Sequence, residues 1–267
     1  MKVETLIKKA QEAMNTKGAK LEVDGVWGPK TIKEAKKYEF RIEAFSDTTK
    51  PGTTLSDNNT PSNGIIEPKF VILPDIEFVN RGNYATPSGQ FKGLTVHYTV
   101  SDRTAKNAKG VLAYLKNNGF GCMVMDEDGI IYIPKNFDVF KNWGYHSGVS
   151  QWKGIKNVSD QFAGIEICCW GLNSIVGPYR TVKESDGYIV AGKYQAYTEA
   201  QENALINFIL WAKSNNPAFD FDYIAGHDEL RKEAGKKGDK QDPGGSLSMS
   251  MPKFRNLIKT KAAELGI

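Results

Sequence analysis

A polar segment near the amino terminus divides this 267-residue chain into two parts. Residues 46–64 read SDTTKPGTTLSDNNTPSNG and offer almost no side chain that a core could bury. Such a composition is typical of a flexible linker. We therefore expect a small module over residues 1–45, a linker over residues 46–70 and a larger domain over residues 71–267. The larger part is long enough to bury a core of its own.

The amino-terminal part predicts a small all-α helical module. Apolar side chains recur at helical spacing over residues 2–15, and Thr31 opens a second amphipathic segment, TIKEAKKYEF. Between them lies LEVDGVWGPKT, whose glycines and proline indicate a tight loop. A module of about 40 residues is close to the lower limit for independent folding.

The larger part alternates between strand and helix character. The apolar runs GLTVHYTV, FAGIEICCWG and FDYIAG predict strands, and GCMVMDEDGIIYI predicts a hairpin that turns at Asp128-Gly129. Helices are predicted for TAKNAKGVLAYLKNNG, for TEAQENALINFILWAKSN with a capping box of Thr198 and Gln201, and for MPKFRNLIKTKAAEL. This order predicts an α/β fold, with a mixed central β-sheet flanked by helices.

Composition narrows the class of protein. The three cysteines, Cys122, Cys168 and Cys169, are odd in number, and a bridge between the adjacent pair would be strained. We expect reduced thiols and a reducing compartment. The net charge of +4 suits an anionic polymer without identifying it. No apolar run approaches the roughly 18 residues of a membrane span, and the first residues lack the apolar core of a secretory signal.

Three side chains with metal-binding chemistry end or follow predicted strands. His97 ends the apolar run of its strand, His227 follows the last predicted strand, and Asp242 lies in a turn with Pro243 and Gly244. Two imidazoles and a carboxylate suit one catalytic Zn²⁺ with a fourth position for water. Each residue also has a structural explanation, as a hydrogen-bonded core histidine or as a turn former. Spacing alone does not decide between these interpretations.

Three further residues have the chemistry of a hydrolytic site. Glu166 is a lone carboxylate in an apolar strand, where burial would raise its pKa towards that of a general base. Lys240 provides a cation that could stabilise an oxyanion. His146, in the loop GYHSG, is a candidate for binding substrate or assisting the oxyanion. The structural alternatives are a solvated lysine-rich face for Lys240 and an exposed loop residue for His146.

From about Gly93 to Ile267, the chain resembles the zinc-dependent N-acetylmuramoyl-L-alanine amidases of the phage-lysozyme and peptidoglycan-recognition-protein superfamily. The matching segments follow the family's order: LTVHYT, DEDGIIYI, GYHSGVSQWKG, FAGIEI, IAGHDEL and KQDPGG. The chain departs from many members near Met123, where they carry a tyrosine or histidine. The family's catalytic glutamate remains available to serve as the base.

The resemblance implies roles for particular residues. It assigns zinc binding to His97, His227 and Asp242, general base chemistry to Glu166, and stabilisation of the transition state to Lys240. It also implies a substrate-binding loop, and the candidates for substrate contact are His146, Trp152 and Tyr98.

The loop VDGVWGPKT is similar to the Asp-Gly-x-x-Gly-x-x-Thr loop of small helical peptidoglycan-binding domains. This resemblance implies a wall-binding module whose residues are Asp24, Gly25, Trp27, Gly28 and Thr31. The alternative is a loop whose glycines only permit positive φ. A wall-binding module on a flexible linker would raise the effective concentration of an attached enzyme on an insoluble polymer.

Together, these resemblances imply a peptidoglycan hydrolase that cleaves the amide bond between N-acetylmuramic acid and L-alanine and acts as a phage endolysin. We expect bacterial peptidoglycan as its partner, no nucleic acid, no membrane insertion and a monomeric state. We expect storage in the host bacterial cytoplasm until release at lysis. The alternatives are a non-catalytic muropeptide-binding protein on the same fold and an amidase that recycles soluble muropeptides.

Overall fold

A computed structural model describes most of the carboxyl-terminal part of the chain, namely residues 65–77, 90–118, 123–142 and 144–267. Nearer the amino terminus it describes residues 8, 11, 12, 14–16 and 18–23. The chain divides into two compact units, Met1–Asn58 and Asn59–Ile267.

In the first unit, the described residues between Lys8 and Thr16 are helical, and Met14 is fully buried. This agrees with the helix predicted over residues 2–15. The second predicted helix and most of the loop before it lie outside the described residues. The predicted limits of module and linker therefore remain predictions.

The second unit contains ten strands and four α-helices within its described residues. The strands are β1 (Phe70–Glu77), β2 (Gly93–Tyr98), β3 (Met123–Met125), β4 (Ile131–Lys135), β5 (Gln151–Trp152), β6 (Ile155–Lys156), β7 (Phe162–Ile167), β8 (Tyr179–Val182), β9 (Gly192–Gln195) and β10 (Ile224–Gly226). The helices are α1 (Ala105–Asn117), α2 (Glu199–Asn215), α3 (His227–Glu233) and α4 (Met251–Leu265). None of the described helices has the length and apolar character that crossing a membrane requires.

Six strands form a mixed central sheet in the order β1-β4-β3-β7-β2-β10. Strands β3 and β4 are antiparallel, as the predicted hairpin requires, and the other neighbours pair in parallel. Strands β5–β6 and β8–β9 form two separate antiparallel ribbons. The predicted α/β class with a mixed, helix-flanked sheet is confirmed.

The two faces of the sheet have different partners. Ile165 and Ile167 of β7 belong to the main core, which includes residues of α2 and α4. Because successive strand residues point to opposite faces, Glu166 lies on the other side. On that side, Leu112 of α1 packs with Val124 of β3, and α1 contacts β3, β4 and β1. Glu166 lies on this second face, in register with Val124 of β3.

The sequence prediction of several elements was wrong or incomplete. FDYIAG is a strand only over its last three residues, because the side chain of Asp220 accepts a hydrogen bond from the Asp222 amide and holds the preceding residues in a 3₁₀ turn. The pattern also left β1 and the β8–β9 ribbon unassigned. Proline interrupts β1, and β8 is largely exposed, so neither shows a clear apolar period.

A buried ion pair joins α3 to α4. The Arg255 guanidinium donates two hydrogen bonds to the Glu229 carboxylate, at 2.7 and 2.9 Å, and a third to the Ile224 carbonyl at 2.9 Å. The Glu229 carboxylate also accepts from the Gly226 amide at the start of α3. The pair therefore fixes the helix that begins at His227.

We predict that Arg255→Ala will lower the free energy of unfolding by about 3–5 kcal/mol, because it leaves the Glu229 carboxylate buried without its partner. Urea denaturation of purified variants measures this. Lys259→Ala is a control on the same helix, since the Lys259–Asp222 pair is largely exposed and should change stability by at most about 1 kcal/mol. Equal losses in the two variants would contradict the prediction.

Candidate functional site

Three neighbouring parallel strands bring the central residues of the site to one edge of the sheet. His97 of β2 lies beside Glu166 of β7 in register, so the two side chains project from the same face. Gly226 of β10 pairs with Val96, and His227 follows it as the first residue of α3. The carboxyl ends of parallel strands thus assemble residues that are far apart in sequence.

The two histidines converge on a single carboxylate oxygen. The Oδ2 atom of Asp242 lies 2.8 Å from Nδ1 of His97 and 3.1 Å from Nδ1 of His227. All three residues are buried, and one candidate ligand atom from each lies within 4.8 Å of the others. The predicted ligand set is therefore brought together in space.

Each histidine of the pair has a second ring nitrogen, Nε2, that faces away from Asp242. The hydrogen bonds of these Nε2 atoms indicate the tautomers of His97 and His227. Nε2 of His227 lies 3.3 Å from the Ser147 carbonyl, which can only accept, so this nitrogen carries the proton. Nε2 of His146 likewise donates to the Phe162 carbonyl at 2.9 Å. The remaining nitrogen of His146, Nδ1, accepts from Nε2 of His97 at 3.1 Å. In their neutral forms, His97 and His227 both present an unprotonated Nδ1.

The charge state of the cluster suits a cation. Burial lowers the pKa of His97 and favours the neutral imidazole. Burial alone would raise the pKa of Asp242, but the charge and hydrogen bonds of His227 and His97 outweigh it and hold that pKa well below its usual range. Each Nδ1 donates to this ionised carboxylate while its ring is protonated, and in the neutral ring the same nitrogen offers a lone pair that a cation could share with the carboxylate. Two nitrogens and one oxygen fit a zinc ion with an open fourth position.

Glycines in the turn after Asp242 set the position of this carboxylate. Gly244 has a φ of +43°, and a Cβ on it would lie 2.6 Å from the ring of Tyr194 on β9. The Asp242 carbonyl accepts from the Asp228 amide in the first turn of α3 at 2.9 Å. The β8–β9 ribbon, which the sequence did not predict, therefore supports one of the three candidate ligands.

Glu166 is the one residue of β7 that is not buried, and it lies on the same face of the sheet as His97. Burial raises its pKa to about 8, the charge of Asp242 adds to the rise, and the charge of Lys240 opposes it. A carboxyl group with this pKa exchanges its proton near neutral pH, as general acid–base catalysis requires.

Lys240 is exposed, two residues before Asp242. Its positive charge lowers the pKa of both Glu166 and His97, which places the ammonium group within electrostatic range of the site. The predicted role of Lys240 as a cation beside the reacting group remains a prediction.

The ring of His146 makes its contacts within the protein. Both of its ring nitrogens are engaged within the protein, one by His97 and the other by the Phe162 carbonyl. Its ring packs on Gly164, where an added Cβ would lie 2.7 Å from the imidazole. Both nitrogens are engaged in this arrangement, and the role predicted for His146 in binding substrate or assisting the oxyanion remains a prediction.

The other two candidates for substrate contact also lie in packed positions. Trp152 is 9% exposed, its indole nitrogen donates to the Asp222 carbonyl at 2.9 Å, and the Arg255 guanidinium lies over its ring. Tyr98 packs against the main core on the opposite face from His97, and its ring lies against Gly171. Both side chains therefore have packing roles in the fold, and the substrate contacts predicted for Trp152 and Tyr98 remain predictions.

The remaining candidates fall in two groups. Cys168 and Cys169 are buried free thiols, as predicted, and burial raises the pKa of both. Met123 is fully buried in the main core. Cys122 lies outside the described residues. So do the residues proposed for wall binding, which are Asp24, Gly25, Trp27, Gly28 and Thr31.

A family model described as N-acetylmuramoyl-L-alanine amidase matches residues 87–245, which is more than half of the chain and includes every candidate ligand. The chain belongs to the N-acetylmuramoyl-L-alanine amidase family. No curated protein sequence matches it.

Several solved structures of amidases are similar to the chain at low identity. A selenomethionine derivative of AmpD is 21% identical to this chain. The alignment covers 75% of this chain and 99% of the AmpD chain, with a TM-score of 0.41. LysCS, an endolysin amidase from Clostridium intestinale URNW, is 17% identical over 75% and 99% of the two chains, with a TM-score of 0.43. AmiD from E. coli, solved with anhydro-N-acetylmuramic acid-L-Ala-D-gamma-Glu-L-Lys, is 18% identical over 61% and 55%, with a TM-score of 0.38. The family assignment rests on the family model.

Two contacts of the site histidines that involve backbone carbonyl groups were not predicted from the sequence. The Ser147 carbonyl accepts from His227, and the buried hydroxyl of Tyr197 donates to the His97 carbonyl at 3.0 Å. No motif marks a backbone carbonyl as functional. Tyr197 precedes the capping box of α2, so its sequence context indicated only the start of a helix.

We predict that Glu166→Gln will stabilise the metal-free protein, increasingly so as the pH rises. The folded-state pKa near 8 lies above the ordinary value of 4.5, so the folded protein retains a proton that the unfolded chain releases. Wild-type stability should therefore fall between pH 4.5 and pH 8, whereas the glutamine variant is insensitive to this titration. Scanning calorimetry with a chelator at pH 5, 7 and 9 measures the difference in Tm. A difference independent of pH would contradict the assigned pKa.

Proposed function

We propose that this protein is a zinc-dependent amidase that hydrolyses the bond between the lactyl group of N-acetylmuramic acid and L-alanine in peptidoglycan. The observation that carries the proposal is the convergence of His97, His227 and Asp242 beside the partly exposed carboxyl group of Glu166. Membership in the amidase family supports the identity of the bond.

His97, His227 and Asp242 would hold the zinc ion. When bound, zinc supplies a Lewis acid that lowers the pKa of water to about 7 and polarises a carbonyl group. The three residues contribute fixed positions, because each is buried and is tied to a strand, a helix start or a tight turn.

Glu166 transfers the proton in this mechanism. Its carboxylate accepts a proton from the attacking water, and the resulting acid donates that proton to the leaving amine of L-alanine. The raised pKa serves both steps, since the group gains and loses a proton near neutral pH.

Lys240 stabilises the negative charge that develops on the carbonyl oxygen of the scissile amide. Its ammonium group is exposed, so it can approach the substrate while its charge remains within range of Glu166.

We further propose that the enzyme acts as an endolysin, stored in the host cytoplasm and released to the wall at lysis. The wall-binding loop proposed for residues 24–31 would hold the enzyme on its polymer, and the polar linker would let the catalytic unit sample nearby bonds. A monomer suffices for this role, because every proposed catalytic group belongs to one unit of the chain.

We predict that zinc-loaded protein will release stem peptides beginning with L-alanine from purified sacculi and leave the glycan strands intact. Glu166→Ala should lower the rate at least about 100-fold, because a positioned proton carrier contributes 10²–10⁴-fold to such reactions. A chelator should abolish release, and added zinc should restore it. Mass spectrometry of the products provides the measurement. Cut glycan strands, or firm wall binding without cleavage, would refute the proposal and indicate another hydrolase or a binding protein.

We predict that deletion of residues 1–64 will lower activity on intact sacculi much more than activity on a soluble muropeptide. Loss of wall binding reduces the effective concentration on an insoluble substrate only. Activity on the soluble substrate also shows that the shortened chain is folded. If the deletion lowers activity on neither substrate relative to the full-length chain, a muropeptide-recycling enzyme would be favoured instead.

A further inference from the structure

Two consecutive residues, His146 and Ser147, contact both histidines of the proposed metal site. His146 uses its side chain and reaches Nε2 of His97, and Ser147 uses its carbonyl and reaches Nε2 of His227. In each case the contact is to the ring nitrogen that faces away from Asp242.

The contact with His97 is directional because the Phe162 carbonyl is only an acceptor. This carbonyl requires a proton on Nε2 of His146. The neutral ring therefore has an unprotonated Nδ1, which can only accept a hydrogen bond. That acceptor in turn requires a proton on Nε2 of His97. These successive hydrogen bonds, from His97 to His146 and from His146 to the Phe162 carbonyl, leave the lone pair of the neutral His97 ring on Nδ1, which faces Asp242.

The loop that carries the dipeptide is itself fixed by buried serines. The hydroxyl of Ser159 accepts from the backbone amides of both His146 and Ser147, at 3.1 and 2.9 Å. It also lies 2.7 Å from the Ser147 hydroxyl, and Ser150 holds the Val158 amide. The loop is therefore tied at the dipeptide itself.

Gly164 completes the arrangement from the sheet. It lies two residues before Glu166 on the same face of β7, and its missing side chain leaves the space that the His146 ring occupies. The sheet, the loop and the ring thus determine one orientation of His146.

We propose that the His146–Ser147 dipeptide sets the tautomers of both zinc-binding histidines, with His146 acting as a positioning residue for His97. This inference rests on the proposed function, since it concerns the ligands of the proposed zinc ion. Partners of this kind fix the ring and the tautomer of a ligating histidine, and their loss typically lowers metal affinity by about 10–100-fold.

Two substitutions at His146 separate the acceptor from the shape of the ring. His146→Phe fills the space on Gly164 but has no acceptor, whereas His146→Asn places its side-chain oxygen near the position of Nδ1. Val149→Ala is the matched control in the same loop, since the Val149 side chain is exposed.

The first measurement is the zinc dissociation constant of each full-length variant, determined by competition with a chromophoric chelator. We expect about 10–100-fold weaker binding for His146→Phe, recovery of most of that loss in His146→Asn, and no change for Val149→Ala. The second measurement is ¹⁵N NMR of the imidazoles in the zinc-free protein, where no metal fixes the tautomer. We expect His97 to be protonated at Nε2 alone in the wild type and to lose this single tautomer in His146→Phe.

The outcomes distinguish this inference from the proposed function. If the wild type binds zinc but His146→Phe binds it equally well with the same His97 tautomer, the inference is wrong and the amidase proposal stands. Equal losses in His146→Phe and His146→Asn would also overturn it, because the acceptor would then not be the cause. Failure of the wild type to bind zinc would overturn both.

Discussion

The structure of the site depends on the convergence of two imidazoles on one carboxylate. The ionised carboxylate of Asp242 lies within 3.1 Å of one nitrogen from each imidazole. When both rings are neutral, these nitrogens point lone pairs at the carboxylate, and a cation shared among the three groups would remove the repulsion. The surrounding elements hold the three groups in place all the same, which is the arrangement expected of a site preorganised for a metal ion.

Several independent elements maintain this arrangement. Parallel strands fix His97 beside Glu166, and the buried Arg255–Glu229 pair fixes the helix that starts at His227. The β8–β9 ribbon packs on the turn of Asp242. Because the contacts come from separate parts of the fold, none of the three candidate ligands can move without disturbing packing elsewhere.

Two polar residues lie on the same face of the central sheet in different environments. Glu166 belongs to β7, and His146 belongs to a loop that packs on that strand. Glu166 remains partly exposed and has a raised pKa, so it can exchange a proton with substrate. His146 lies over Gly164, two residues earlier on the strand, and has both nitrogens engaged. The two residues therefore differ in exposure and in hydrogen bonding, although both lie close to His97.

The sequence by itself determined the α/β class, the elements with clear apolar period, and the identity of His97, His227, Asp242 and Glu166 as candidates, because local periodicity and residue chemistry are written in short segments. Only the tertiary structure decided how these residues are used. Whether His146 meets substrate or His97, and whether Trp152 is exposed or packed, depends on contacts between segments far apart in the chain. Such contacts leave no local pattern, and backbone groups such as the Ser147 carbonyl leave none at all.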